Sequence, residues 1–290
     1  MNDYLTSEVV VDYADGLINR REALRRLSLM GVGAALAASM LAACTDPAPG
    51  PGASASASAP ASAAGPAPLP TEPIAFDGLQ AAWAAAANPR GAVLVIHENR
   101  GLTDHIRSVA GRLAASGFSA LALDLLSEEG GTARFTDPAQ ATAALNAADP
   151  ARFIEDMRSA LDELQRRAPA ARLAATGFCF GGGEVWQLLA AGEPRLAAAA
   201  PFYGPFPDAA TLNGSKQAAV LGIYGELDSR VNATRGAAEA ALSAAGMTHE
   251  LVTFPGANHA FFNDTGERYN ATAAAEAYTR LVQWFTEHLA

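Results

Sequence analysis

Short apolar runs alternate with longer amphipathic segments along most of this chain. Residues 92–96 form a continuous, partly β-branched apolar run, which is typical of a strand buried on both faces. Residues 150–166 repeat their apolar positions every three or four residues, as an amphipathic helix does. The same signals predict further strands at 118–123, 172–176, 196–202, 219–224 and 250–254, and further helices at 104–116, 138–147, 183–190, 232–245 and 269–289.

Strands that alternate with helices predict a mainly parallel sheet with helices on both faces, the α/β class. The alternation begins near Pro73 and continues to the last residues, so we expect one globular domain over residues 73–290. A domain of roughly 220 residues can bury one sizeable core and is short for two.

Composition and charge exclude several classes of protein. Half of the 290 residues are hydrophobic and 17% are charged, which is unlike a disordered or fibrous chain. The formal net charge is −10 and Lys216 is the single lysine, so we expect no nucleic-acid partner. The sequence has neither a metal-ligand spacing nor a glycine-rich phosphate loop, so it predicts no metal and no cofactor. A small-molecule substrate is the remaining expectation.

The first 43 residues carry the features of a bacterial export signal. Arg20 and Arg21 precede a short apolar run at 27–43, which is the order of a charged and an apolar region in a signal peptide. The pair resembles the twin-arginine (Tat) signal, which exports folded proteins. Asn19 and Ala23 depart from the Ser or Thr and the Phe that are usual in that motif.

The apolar run ends in a cysteine preceded by small residues. Leu41-Ala42-Ala43-Cys44 matches the bacterial lipobox, in which the peptide is cut before the cysteine and the cysteine is acylated. The alternative is a helix that ends in alanines and a buried cysteine. Residues 44–72 are mostly Ala, Pro, Ser and Gly, which is the composition of a flexible tether. We therefore expect a leader at 1–43, a tether at 44–72 and a lipoprotein anchored to a membrane of the cell envelope.

The second cysteine stands in the frame of a nucleophile elbow. Gly177-Phe178-Cys179-Phe180-Gly181 follows a predicted strand and precedes a helix, which is the context of the G-x-S-x-G motif with cysteine in place of serine. The turn is so tight that side chains at the two flanking positions would collide, and glycines occupy both. The helix N-terminus favours the thiolate over the thiol. The alternative is a buried structural cysteine, but the five-residue frame favours a nucleophile.

An acid and a histidine follow in the chain order that a nucleophile elbow requires. His259 comes after the last predicted strand, where its imidazole can serve as the base for the cysteine. Asp228 closes the preceding strand and is our choice of acid, with Glu226 as the alternative. His97 and His105 come too early in the chain for the role of the base.

Together these residues resemble the dienelactone hydrolase (carboxymethylenebutenolidase) family, whose members have the α/β-hydrolase fold. The resemblance extends over about residues 73–289 and includes His97-Glu98-Asn99-Arg100-Gly101-Leu102, directly after a predicted strand. Family members carry a glutamate there that contacts the resting thiol and helps to generate the thiolate. The resemblance implies this role for Glu98, and the alternative is a surface acid paired with Arg100.

The resemblance also implies an oxyanion hole and a reaction. The hole would consist of the backbone N–H groups of Phe180 and Asn99. The implied reaction is hydrolysis of an ester or lactone through a thioester on Cys179. Two alternatives stay open, a general carboxylesterase of an unrelated substrate and a non-catalytic, lipid-tethered binding module.

The substrate is open because the substrate-binding arginines of the family are not matched. Asn263 stands at one of the two positions, and the segment after Asp124 contains no arginine at the other. Arg100 and Arg134 are candidates to replace them. The oligomeric state is open as well.

Overall fold

The structure, a computed structural model, describes residues 2–42 and 64–289 and contains eight strands and nine α-helices in those ranges. Cys44 and most of the predicted tether lie outside the described residues. The strands are β1 (Glu72–Phe76), β2 (Leu79–Ala84), β3 (Gly91–Ile96), β4 (Phe118–Asp124), β5 (Leu173–Phe178), β6 (Leu196–Phe202), β7 (Ala219–Gly225) and β8 (His249–Phe254). The helices are α1 (Asn2–Ala14), α2 (Arg20–Leu29), α3 (Ala34–Ala42), α4 (Asp104–Ala115), α5 (Pro138–Ala147), α6 (Pro150–Arg167), α7 (Phe180–Ala190), α8 (Ser229–Ala245) and α9 (Ala271–Leu289).

All eight strands form one sheet in the order β1-β2-β4-β3-β5-β6-β7-β8. Strands β3 to β8 pair in parallel, whereas β1, β2 and β4 pair antiparallel to one another in that order. Every residue of β3, β4, β5, β6 and β7 is buried, as expected of strands that are covered by helices. The predicted α/β-hydrolase architecture is therefore confirmed.

The first two strands form a hairpin that the apolar pattern does not predict. Asp77 and Gly78 connect them, with φ angles of 47° and 79°. An Asp-Gly pair with two positive φ angles is the turn that suits the twist of a two-residue hairpin. The hairpin lies at the edge of the sheet, away from the strands that carry the candidate site.

The helix after the nucleophile elbow begins three residues earlier than predicted. The run of glycines at 181–183 disfavours a helix by propensity, but α7 includes it. A Cβ atom at Gly182 would collide with the carbonyl oxygen of Phe202, so the glycines permit the helix to pack close to β6. Close packing outweighs local propensity here, and it places the helix N-terminus directly at Cys179.

Helices α1, α2 and α3 pack against one another and against the rest of the molecule, which consists of the sheet and helices α4 to α9 and is called the sheet domain below. They share a small cluster of buried side chains, and α1 also places Tyr4 and Leu5 in the main core. The predicted apolar run at 27–43 is divided between α2 and α3 at Met30-Gly31-Val32-Gly33. Within the described ranges, no helix combines the length and the hydropathy that a bilayer crossing requires. The small cluster consists of Val9, Ala23, Leu27, Ala37 and Leu41.

Candidate active site

Cys179 occupies a strained turn at the carboxyl end of the central strand β5. Its φ and ψ angles are 56° and −116°, a conformation that a residue with a side chain rarely adopts. A Cβ atom at Gly177 would collide with the carbonyl oxygen of Gly181, and one at Gly181 would lie 2.5 Å from the carbonyl oxygen of His97. The predicted steric reason for both glycines therefore holds in the structure. The turn presents the thiol at the carboxyl ends of the parallel strands.

Asp228 and His259 follow β7 and β8 and meet at the same carboxyl ends of the strands as Cys179. The Oδ2 atom of Asp228 lies 2.6 Å from Nδ1 of His259, and its Oδ1 atom accepts a hydrogen bond of 3.1 Å from the N–H of Val231. Both side chains are buried. Glu226, the alternative acid, is exposed and instead accepts a hydrogen bond from the N–H of Gly256. The geometry thus favours Asp228 as the group that orients the imidazole.

The thiol and the imidazole lie close together in a buried, charged environment. The Sγ atom of Cys179, a ring nitrogen of His259 and a carboxylate oxygen of Glu8 all lie within 4.8 Å of one another. Burial raises the pKa of the Cys179 thiol, Glu8 raises it further, and His259 opposes both effects. Burial lowers the pKa of His259, but Glu8, Cys179 and Asp228 outweigh it and raise that pKa well above its usual value. Burial also opposes ionisation of Asp228, but the hydrogen bond from His259 holds the pKa of that carboxyl below its usual value.

Glu98 points into the domain rather than to the surface. It follows β3, and its carboxylate accepts a hydrogen bond of 2.5 Å from Nδ2 of Asn263 and one of 3.5 Å from the hydroxyl of Tyr203. The ion pairs between described residues do not include Glu98 with Arg100. Asn263, which stands where the family has an arginine, therefore contacts the very carboxylate to which the family resemblance assigns a role.

The two candidate oxyanion donors border the nucleophile. Phe180 is the first residue of α7, so its N–H has no acceptor within the helix. Asn99 lines a cleft of about 250 Å³ together with Cys179 and His259. Arg100 lines the same cleft, whereas Arg134 donates a hydrogen bond to the carbonyl oxygen of Glu129. Of the two arginines that the sequence offers for substrate binding, the structure brings Arg100 to the cleft.

Three residues that the sequence analysis does not single out contact the site. The hydroxyl of Tyr4 lies 3.4 Å from Sγ of Cys179, and Oε1 of Glu8 lies 3.4 Å from Nε2 of His259. Both belong to α1, within the predicted leader, where no catalytic pattern draws attention to them. Tyr203 is fully buried with its ring centroid 5.2 Å from that of His259, and its φ of 36° is a signal that only a structure reveals.

Glu8, Cys179 and His259 are the one group of potential metal ligands found among the described residues. The Glu8 carboxylate also forms an ion pair with Arg230. Glu8 and His259 therefore belong to one network of charged side chains together with Arg230 and Asp228.

Comparisons with known proteins identify relatives of this chain. A family model described as "Dienelactone hydrolase family" matches residues 76–289. The chain is 34% identical over 212 residues to the "Putative carboxymethylenebutenolidase" of Escherichia coli O157:H7, covering 69% of this chain and 78% of that protein.

Two solved structures are also similar to this chain. One is titled a "Putative Dienelactone Hydrolase" from Klebsiella pneumoniae, with a TM-score of 0.65, 30% identity, and coverage of 75% of this chain and 98% of that one. The other is a dienelactone hydrolase-like promiscuous phosphotriesterase from metagenomic libraries, with a TM-score of 0.66, 27% identity, and coverage of 77% and 100%. The family model begins at residue 76, after α1, α2 and α3.

Proposed function

Because this chain belongs to the dienelactone hydrolase family and is a carboxylic ester hydrolase, we propose that it cleaves its substrate through Cys179, His259 and Asp228. The observation that carries the proposal is the 2.6 Å contact between Asp228 and Nδ1 of His259. An Nδ1–H that is held by a carboxylate leaves Nε2 as the proton acceptor, and a ring nitrogen of His259 lies within 4.8 Å of Sγ of Cys179.

The proposed reaction has two halves, each with a balanced proton transfer. The thiol proton of Cys179 passes through Glu98, its first acceptor, to His259, and the sulfur attacks the carbonyl carbon of an ester or lactone. The carbon–oxygen bond to the leaving group breaks, the leaving oxygen takes the proton from His259, and a thioester remains. Water then gives a proton to His259 and its oxygen to the acyl carbon. The carbon–sulfur bond breaks, the sulfur takes the proton from His259, and the carboxylic acid is released.

Glu98, Phe180 and Asn99 have supporting roles in this proposal. The N–H groups of Phe180 and Asn99 stabilise the negative oxygen of the tetrahedral intermediate, and one such donor typically lowers a barrier by about 2.7–4 kcal/mol. Glu98 adds a negative charge near Cys179, which contributes to the raised pKa of the resting thiol. When substrate displaces it, Glu98 becomes the first proton acceptor.

Hydrolysis of p-nitrophenyl acetate by wild type and Cys179→Ala tests the proposal. The variant should fold normally and lose about a thousandfold or more of kcat/KM, since removal of a nucleophile ordinarily has that effect. Cys44→Ser changes the other cysteine and is the matched control, with unchanged kcat/KM expected when all proteins are purified in the same, uncleaved form. If Cys179→Ala keeps more than about a tenth of the activity, a different nucleophile or a general esterase mechanism is at work. If neither the full-length proteins nor the forms that begin at Cys44 hydrolyse any ester, the non-catalytic binding module is the better explanation.

The proposal extends to the location of the enzyme. The order of twin arginines, apolar run, lipobox and tether supports export and lipid anchoring at Cys44. Arg20 and Arg21 are exposed at the start of α2, where export machinery has access to them. Cells grown with radiolabelled palmitate should label wild type and not Cys44→Ser. Equal labelling of both proteins would contradict the lipoprotein assignment.

A further inference from the structure

Helix α1 lies in the candidate active site rather than beside it. Tyr4 and Leu5 are buried in the core of the sheet domain, and the Tyr4 hydroxyl is 3.4 Å from Sγ of Cys179. One turn later, Glu8 is 5% exposed and its carboxylate is 3.4 Å from Nε2 of His259. The two side chains occupy the space next to the nucleophile and the base, where a substrate would have to bind.

Two arginines of the sheet domain hold this helix by its acidic residues. Arg230 forms an ion pair with Glu8 and lies with its guanidinium 4.2 Å from the centre of the Tyr4 ring. Arg268 forms ion pairs of 2.9 Å with Asp12 and 2.7 Å with Asp15. Within the described ranges, the side-chain hydrogen bonds and ion pairs of both arginines all go to residues 4–15. The charges on the helix and on the domain are therefore complementary.

The docked helix also adds a negative charge beside the reacting groups. Burial and the Glu8 charge both raise the pKa of the Cys179 thiol, which disfavours the reactive thiolate. The same carboxylate is the first of the charges that outweigh burial and raise the pKa of His259, which disfavours the neutral imidazole that a base requires. Occlusion and charge thus act in the same direction.

We infer that α1 is an intramolecular inhibitor of this active site, which keeps the full-length chain latent until the N-terminal segment is displaced or removed. The inference rests on the proposed function, because it takes Cys179 and His259 as the reacting groups. The helix precedes the region that matches the family, so it is an addition to the family's catalytic domain. Cleavage before Cys44, as the sequence predicts, would separate α1 from the enzyme and couple activity to export.

Undocking the helix in the full-length chain tests this inference without removing Tyr4 or Glu8. Leu5 is fully buried, so Leu5→Asn places a polar group in the core and disfavours docking. Leu29→Asn makes the same substitution at a leucine that is 41% exposed on α2 and serves as the matched control. Arg268→Glu is a second way to undock the helix, because it sets a negative charge against Asp12 and Asp15.

Two readouts separate occlusion from catalysis. In a Cys44→Ser background, iodoacetamide can alkylate only Cys179, and p-nitrophenyl acetate hydrolysis reports turnover. We expect Leu5→Asn and Arg268→Glu each to raise both rates at least about tenfold, since an accessible, less perturbed thiol reacts faster. Leu29→Asn should change neither rate by more than about twofold, as is usual for a surface substitution.

The outcomes distinguish the inference from the function on which it rests. Alkylation rates within about twofold of wild type in both undocking variants would overturn the inference, even if Cys179→Ala abolishes the remaining esterase activity. Faster alkylation without any ester hydrolysis would support occlusion of Cys179 and overturn the proposed function. A rise in both rates supports both.

Discussion

Asp228→Asn isolates the catalytic role of Asp228 from its structural role, because its two oxygens have different partners. Oδ2 faces Nδ1 of His259, whereas Oδ1 caps α8 by accepting a hydrogen bond from the N–H of Val231. Asparagine keeps an oxygen for the cap, but it turns an NH₂ group toward His259. Nδ1 must then accept a hydrogen bond, the proton moves to Nε2, and the imidazole can no longer accept the thiol proton.

The expected loss in Asp228→Asn is large in activity and small in stability. Reversing the histidine tautomer in a triad lowers turnover by about 10⁴, so we expect kcat/KM to fall roughly 10³–10⁴-fold, or about 4–5.5 kcal/mol. Asp228→Ala should lose as much activity and, in addition, about 1 kcal/mol of stability from the lost cap. That loss corresponds to a Tm lowered by about 2–4 °C for a domain of this size.

The assay compares kcat/KM for p-nitrophenyl acetate and thermal unfolding in one set of variants, each made in the full-length chain and in the Leu5→Asn background. Glu226→Gln is the control, because Glu226 is exposed and bonds to the N–H of Gly256 instead of to His259. We expect this control to keep wild-type activity. The reasoning is refuted if Asp228→Asn retains more than about a tenth of the activity, or if Glu226→Gln loses as much as Asp228→Asn does.

Three further predictions concern the thiol, the base and the turn. Glu98→Gln in the Leu5→Asn background should lower kcat/KM. It should also speed alkylation of Cys179 near neutral pH, because a charge that raises the thiol pKa is removed. No change in either rate would contradict a catalytic role for Glu98. Leu5→Asn should shift the acid limb of the kcat/KM profile to lower pH, since the Glu8 charge that raises the pKa values of His259 and Cys179 leaves the site; an unshifted limb would argue against this effect. Gly177→Ala should lower the free energy of unfolding in urea by about 1–3 kcal/mol or more, while Gly236→Ala, which meets no atom within 4 Å inside α8, should be neutral or stabilising.

The sequence predicts the sheet because its central strands carry unusually clear signals. The apolar runs at β3, β4 and β6 are buried at every position, so hydrophobicity alone locates them. Strand β1 is missed because it lies at the edge of the sheet with exposed positions, and β2 is missed although it is mostly buried, because half of its residues are alanine, which is depleted in strands. The Asp-Gly pair at 77–78 is the local signal that could have located the hairpin.

The candidate site is predictable to the extent that it depends on chain order and turn chemistry. Cys179, Asp228 and His259 each follow the carboxyl end of a parallel strand, so the chain order alone brings them together. The two glycines that flank Cys179 identify it as the nucleophile. The contacts of Asn263 with Glu98, and of Tyr4 and Glu8 with the site, join segments that are far apart in sequence. Such contacts depend on how helices and loops pack, which a periodicity does not encode.

A covalent adduct on Cys179 is the most direct test of the proposed mechanism. The Leu5→Asn protein, in which the cleft is open, would be mixed with p-nitrophenyl acetate, quenched in acid during turnover, digested, and analysed by mass spectrometry. The account predicts one acetyl group on the peptide that contains Cys179, and its absence from the Cys179→Ala variant. An acetyl group on a serine or another side chain of an active enzyme, with Cys179 unmodified, would contradict the proposed mechanism.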